Sequence, residues 1–190
     1  MGKKTAVSEA TKQALQKAFW ELYKNKSIEK ISIREITERA GYNRGTFYLY
    51  YKDVYDMLEQ SENQLIRRIY DSGLLPDGKN VSYDTNQLIA WILNIYQENF
   101  EKFKILLGTH GDPRFTKTLQ GIMKKELACT LKTPEDINPA AANYYIEFVV
   151  SGILAVIVKW FSEGEQFPLD EFIRSMIHML SPLSNVQFIE

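Results

Sequence analysis

Cysteine is nearly absent: among 190 residues Cys129 stands alone, so no disulfide can close within the chain and no thiolate cluster can hold zinc. A reducing cytoplasm is the compartment that suits such a chain. Histidine is scarce too. His110 and His178 stand far apart without HExxH spacing, and neither a cysteine-nucleophile motif nor a glycine-rich loop of the P-loop or Rossmann kind occurs. Carboxylates are plentiful but scattered over polar positions, so no acid–base pair stands out. The reading is of a protein that is not an enzyme, with no cofactor and no metal. Unbroken apolar runs are short as well. The longest, Phe148 to Val158, is interrupted by Ser151 and Gly152 and ends at Lys159, short of the ~18 residues that cross a bilayer. Met1-Gly2-Lys3-Lys4 precedes no apolar segment, and Ala6 stands where a myristoylation signal needs Ser or Thr. No membrane partner is expected.

What the chain does have is a sharply organised stretch from Ser32 to Lys52, SIREITERAGYNRGTFYLYYK. Glu35 follows Ser32 at the spacing of a capping box, so a helix should begin there with Ile33, Ile36 and Ala40 on one face. Gly41 supplies the left-handed residue that ends it, and Asn43 can cap a second helix of roughly Arg44 to Tyr50. Two short helices about a tight turn are the helix-turn-helix arrangement. Arg44 can reach a guanine edge or a phosphate, Gly45 lets the backbone come close, and Thr46 offers a hydroxyl and a methyl. Tyr48 and Tyr50 can donate to phosphate oxygens, with Lys52 adding charge at the end; Ser32 joins this set at the start of the first helix. Packing of Tyr48 and Tyr50 into the domain, beside Phe47 and Tyr51, is the competing reading. The net charge of −1 hides an asymmetry: Met1 to Lys52 carries 11 Lys and Arg against 5 Glu, and Asp53 to Glu190 carries 12 against 19 acids. A basic head on an acidic body fits a partner that is DNA at one end only.

GYNRGTFYLYY followed by Lys52 and Asp53 resembles the recognition-helix signature of TetR-family transcriptional regulators, in which a small-residue turn leads into a Thr-Phe-Tyr core, two further aromatics and a lysine. The resemblance is strongest over about the first 58 residues. It departs at two positions: Val54 stands where the family usually places a phosphate-contacting lysine, leaving Lys52 available for that contact, and Tyr42 replaces the family's valine after the turn glycine.

Ahead of the motif, the residues to about Ser8 read as a basic arm, free in solvent or laid on DNA, before a helix whose stripe is Leu15, Ala18, Phe19 and Leu22. Asp53 can cap a helix reaching about Asp71, a lever between head and body. Leu75 to Tyr83 is rich in turn residues. Helical periodicity then runs from Leu88 to Leu107, from about Arg114 to Leu131, from Ala140 to Glu163 and from Leu169 to Leu180. The expected fold is all-α: a three-helix helix-turn-helix domain over 1–52 and a larger helical bundle over 53–190 that dimerises and binds ligand. Tyr144 to Phe161 is apolar on more than one face, so it needs either a central place in a monomeric bundle or a second helix across it. The second reading agrees with the pairing of TetR-like proteins through their last two long helices. It puts Ser151, Gly152, Ala155, Trp160, Ile173 and Ile177 at a homodimer interface. The resemblance also implies an apolar effector pocket, for which Trp91, Tyr96, Phe100, Phe103, Tyr145 and Phe148 are the candidate lining, suited to a neutral or cationic aromatic compound. The function expected is a homodimeric regulator, a repressor, on a pseudo-palindromic double-stranded operator. The alternative is an all-helical protein that binds a partner or ligand, with the basic head an accessory.

Overall fold

The computed structural model describes residues 2–71, 99–108, 110–130 and 138–180, and every regular element among them is helical. In order these are α1 (Gly2–Tyr23), a 3-10 turn (Ile28–Lys30), α2 (Ile33–Ala40), α3 (Arg44–Tyr48), α4 (Val54–Asp71), α5 (99–106), α6 (Pro113–Thr130), α7 (Pro139–Ser162) and α8 (Leu169–Leu180). The periodic stretch over 88–98 and the turn-rich segment Leu75 to Tyr83 lie outside the described residues, as do Trp91 and Tyr96.

Local chemistry sets the helix ends of the head. Ser32 Oγ accepts from the Glu35 N–H at 3.3 Å while the Ser32 N–H donates to Glu35 Oε2 at 2.9 Å, closing the capping box. Lys26, 2.5 Å from Glu35 Oε1, and the Ser32 N–H together hold the Glu35 carboxyl far below the usual range, at about 2. Gly41 ends α2 with φ 75°, and the N–H of Tyr42 returns to the Thr37 carbonyl at 2.9 Å. Asn43 caps α3, its Oδ1 accepting from the Thr46 N–H at 2.9 Å. Asp53 Oδ1 likewise accepts from the Asp56 N–H at 2.8 Å at the start of α4.

One expectation changes. The arm before Ser8 is part of α1, which begins at Gly2; no proline or further glycine interrupts the sequence between Gly2 and the end of that helix at Tyr23. Val54, an apolar position of α4, is 7% exposed and packed in the core.

A continuous apolar core joins Leu15, Ala18 and Phe19 of α1 with Ile36, Phe47, Tyr51, Met57 and Leu58, and runs along α4 through Leu65 and Ile69 to Phe103, Leu106 and Phe115. Packing therefore crosses residue 52 without a break, and the first turns of α4 belong to the head's core. Contacts at the same junction are polar: Lys24 pairs with Glu101 at 2.6 Å, and Arg68 donates to Asn99 at 3.2 Å.

In the body, one face of α7 (Ile146, Val150, Leu154) packs on Leu119, Met123 and Leu127 of α6. The opposite face exposes Tyr144, Phe148, Gly152, Ala155 and Val156. By length and composition α7 is long enough and apolar enough to cross a membrane: an 18-residue window within Ala140–Ser162 has mean hydropathy 1.8 and is 22% buried. The apolar run from Phe148 to Val158 is shorter than that window, and serine and glycine interrupt it without making the helix polar. Glu147 on this helix is paired with Lys124 at 2.5 Å and linked to Ser151 at 3.1 Å, so an exposed, charged and hydrogen-bonded pair flanks the packed apolar face.

Candidate nucleic-acid interface and effector cleft

The turn between α2 and α3 presents its polar residues outward. Arg44, Gly45 and Lys52 are exposed, Thr46 is half-buried, and Tyr48 is 57% exposed. Phe47 and Tyr51, on the inner side of the same segment, are buried, with ring centroids 5.4 Å apart. Neighbouring cations of the head are engaged: Arg34 with Glu38 at 2.6 Å, Arg39 with Glu21 at 3.1 Å, and Lys26 with Glu35. Among the described residues, no carboxylate oxygen pairs with the charged side-chain nitrogens of Arg44 or Lys52 within 4.0 Å, although the Lys52 backbone N–H donates to Asp56 Oδ2 at 2.8 Å. Their charge is thus uncompensated where the segment faces solvent, which is the condition for attracting phosphate.

Two expected contacts sit differently from the rest. The Ser32 hydroxyl donates to Glu35 Oε2 at 2.8 Å and accepts from the Glu35 N–H, so its hydrogen-bonding capacity serves the cap. Tyr50 is half-buried against the core, and its hydroxyl lies 3.2 Å from Ser8 Oγ on α1. Gly45 has a local reason as well as an outward one: a Cβ there would stand 3.2 Å from Asn43 Oδ1, the oxygen that caps α3. Asn43 was legible in the sequence as the cap of the second helix; Leu49 was not among the residues singled out. Leu49, 78% exposed, carried no signal beyond being apolar in a short helix.

Of the body residues expected around one pocket, Phe100, Phe103, Tyr145 and Phe148 are among the described residues, and they differ in burial and place. Phe103 is buried with its ring 6.2 Å from that of Phe115, and Phe148 is 67% exposed on the open face of α7. Phe100 contacts Trp160 at 6.4 Å, whereas Tyr145 lies fifteen residues before Trp160, about 22 Å away along a helix rising ~1.5 Å per residue. Phe100 and Trp160 instead border an open cleft of about 590 Å³ with Glu165, Phe167, Pro168 and Leu169. Gly164 and Glu165 take left-handed conformations there, with φ 78° and 56°, and Glu165 pairs with Lys104, whose Nζ is 5.7 Å from the Phe100 ring centre. The apolar faces read from sequence contained no cation; the fold brings Lys104 to the aromatic cleft.

The interface residues divide in the same way. Gly152 and Ala155 are exposed and Ser151 half-buried, but Trp160 and Ile173 are 5% and 6% exposed inside the protomer, Trp160 stacked on Phe172 at 4.8 Å. Both belong to the protomer's own core because the α7–α8 turn folds α8 back over that end of α7. The side chain of Ile177 lies outside the described residues. His110 and His178 are exposed, and no group of three or more His, Cys, Asp or Glu placed to hold a metal occurs among the described residues.

Where head meets body, Tyr23 is 1% exposed and burial pushes its phenol upward, with Asp112 and Glu62 adding to the shift. Burial, reinforced by Asp112 and Glu59 and opposed by Arg114, pushes the Glu62 carboxyl up to about 7. A carboxyl held neutral by the fold contributes stability that is fully present below its unfolded value of 4.5 and lost as pH rises through about 7. Glu62→Gln should remove that loss. Urea melts at pH 5 and pH 8 should show the variant gaining about 1 kcal/mol on the parent at the higher pH, after allowance for solvent screening. Parallel pH profiles for the two proteins would refute this account of Glu62.

Comparisons with known proteins agree with this arrangement. The sequence profile "Bacterial regulatory proteins, tetR family" matches residues 16–60, and "Transcriptional regulator C-terminal region" matches residues 84–182. An uncharacterized HTH-type transcriptional regulator of Bacillus subtilis (strain 168), YxbF, is 24% identical over 161 residues, 82% of this chain. The chain spans about 40% of the length of that curated relative. A TetR transcriptional regulator from Streptococcus agalactiae 2603V superposes with a TM-score of 0.67 at 20% identity, over 93% of this chain and 97% of that one. The dihydroxyacetone kinase operon activator DhaS does so with a TM-score of 0.62 at 17% identity, over 92% and 96%. Such distant likenesses show the fold alone, but the two profiles together cover most of the sequence, head and body alike. The chain belongs to the TetR family of bacterial regulatory proteins.

Proposed function

We propose that this chain is a homodimeric, sequence-specific DNA-binding transcriptional regulator, a repressor, whose operator affinity is set by a small and largely apolar effector. The observation that carries the reading is the capped turn from Ser32 to Lys52, which turns Phe47 and Tyr51 inward and leaves Arg44, Thr46, Tyr48 and Lys52 facing out with both cations uncompensated. Arg44 reads a base edge, and Lys52 anchors the segment to phosphate in place of the core residue Val54. Chromosomal DNA as partner places the protein in the cytoplasm.

Selection of bound sequences from a random DNA pool is the direct test, and a pseudo-palindrome with half-sites one helical turn of about 10 to 10.5 base pairs apart, or a multiple of it, is the expected product. On the selected operator, Arg44→Ala should cost about 1 to 3 kcal/mol and relax specificity at one base position. Lys52→Ala should weaken all sequences alike and make the salt slope shallower by about one unit. Binding by both variants indistinguishable from the parent across a salt series would rule out this placement of the reading helix.

A second protomer is the proposed cover for Tyr144, Phe148, Gly152, Ala155 and Val156. The exposed ion pair of Glu147 with Lys124 supports a protein partner over lipid, since hydrocarbon would strip both charges of their solvation. The cleft at Phe100 and Trp160 is the proposed effector site, and the compensated Lys104–Glu165 pair suits a neutral aromatic compound. Such a compound shifts the DNA equilibrium only by its differential affinity for the two arrangements of the heads. The alternative of an accessory head predicts no enriched sequence in the selection.

A further inference from the structure

The residue at the centre of the reading surface is none of the polar ones. Helical geometry continues past α3: Leu49 has φ −70° and ψ −21°, and the N–H groups of Tyr50 and Tyr51 both return to the Phe47 carbonyl at 3.0 Å. At about 100° per residue, the direction opposite Phe47 and Tyr51 belongs to Gly45 and Leu49, with Thr46 and Tyr48 on either side. Exposure agrees with that geometry. Phe47 is 0% and Tyr51 2% exposed, Tyr50 is tied toward α1, and Leu49 reaches 78%, more than Tyr48. Gly45, one turn earlier on the same line, adds no side chain of its own, so the leucine stands clear as a ridge. Among the described residues nothing covers it.

We propose that Leu49 is a specificity-determining residue that reads the C5-methyl group of a thymine in the major groove; this rests on the DNA-binding reading above. An aliphatic side chain has no hydrogen bond to offer a base edge, and thymine is the base whose major-groove edge presents an apolar group. The surroundings fit a groove floor between phosphate walls: Arg44 and Lys52, at the two ends of the segment, are exposed cations whose side chains pair with no carboxylate, and the leucine lies between them. Thr46 and Tyr48, at its sides, satisfy polar edges or phosphates that the leucine cannot.

The experiment uses the full-length protein and the operator obtained by selection, with each thymine of a half-site replaced singly by deoxyuridine, which removes the methyl and leaves every hydrogen-bonding group in place. For the parent, one position should lose about fourfold in affinity, the worth of one buried methyl, and symmetric replacement in both half-sites should lose about tenfold or more. Leu49→Ala should abolish the effect at that position and retain any methyl effect elsewhere, such as one due to Thr46. Since Leu49 is exposed, the variant should melt like the parent, and a matching melt keeps the comparison clean. A parent indifferent to deoxyuridine at every position, or a Leu49→Ala variant with the parent's methyl profile, would overturn the role of Leu49 while leaving the regulator reading intact. A pool that yields no enriched sequence would overturn the regulator reading and this inference with it.

Discussion

Replacing Gly152 by glutamate should split the dimer and abolish operator binding in one step. A Cβ at Gly152 meets nothing within 4 Å, so the protomer accepts the longer side chain without internal strain, and any loss must come from what lies across the exposed face. That face is apolar over more than two turns, from Tyr144 and Phe148 to Ala155 and Val156. A carboxylate buried there without a partner costs several kcal/mol, and two-fold symmetry introduces it twice. The heads themselves are untouched. Operator affinity should nevertheless fall by at least about 100-fold, because a single head engages one half-site and loses the effective concentration supplied by its twin. Sedimentation at micromolar concentration should show the parent as a dimer and the variant as a monomer, with helix content unchanged by circular dichroism. A monomeric parent, or a variant that remains dimeric, would remove α7 from the interface.

Phe47→Ala should have an effect of similar size by a different route. Its ring is fully buried, in contact with Tyr51 at 5.4 Å and edge-on to Tyr48 at 5.8 Å, and it ties the reading helix to α1 and α4. Truncating such a phenylalanine costs about 3 to 5 kcal/mol, a large share of the ~5 to 15 kcal/mol that holds a typical domain together. A helix of five residues has no stability of its own. The reading surface should therefore melt while much of the body stays helical, and operator binding should vanish even at low salt. Tyr48→Ala, at a position more than half exposed, should leave the melting curve near that of the parent while weakening DNA binding. If urea melts placed Phe47→Ala within 1 kcal/mol of the parent, Phe47 would not be the anchor of the head.

The two variants also show why the head was easier to read than the body. Ser32, Gly41, Asn43 and Asp53 act within three or four residues of themselves, through caps and a left-handed turn, and these rules hold whatever the helices later pack against. The stripe of Leu15, Ala18, Phe19 and Leu22 was legible for a related reason, since an amphipathic period announces its own buried side. In α7 the period fails, because apolar residues occupy several faces and the sequence does not say which meets α6, which meets α8 and which is left open. Among the aromatic residues that the sequence offered as pocket lining, the fold buries Phe103 and exposes Phe148, a difference that their spacing does not announce.

By itself, the sequence determined the helix-turn-helix, its caps, the inward Phe47 and Tyr51, and the basic character of the head, since each follows from near neighbours or from composition. Only the tertiary structure decided that Val54 is core, that Tyr50 leans on α1 toward Ser8, that Trp160 and Ile173 close the protomer beneath α8, and that Leu49 has no cover. These are statements about which residues distant in the chain come to share a surface. Burial is a property of that meeting, and a residue's own chemistry makes it favourable without saying where it happens.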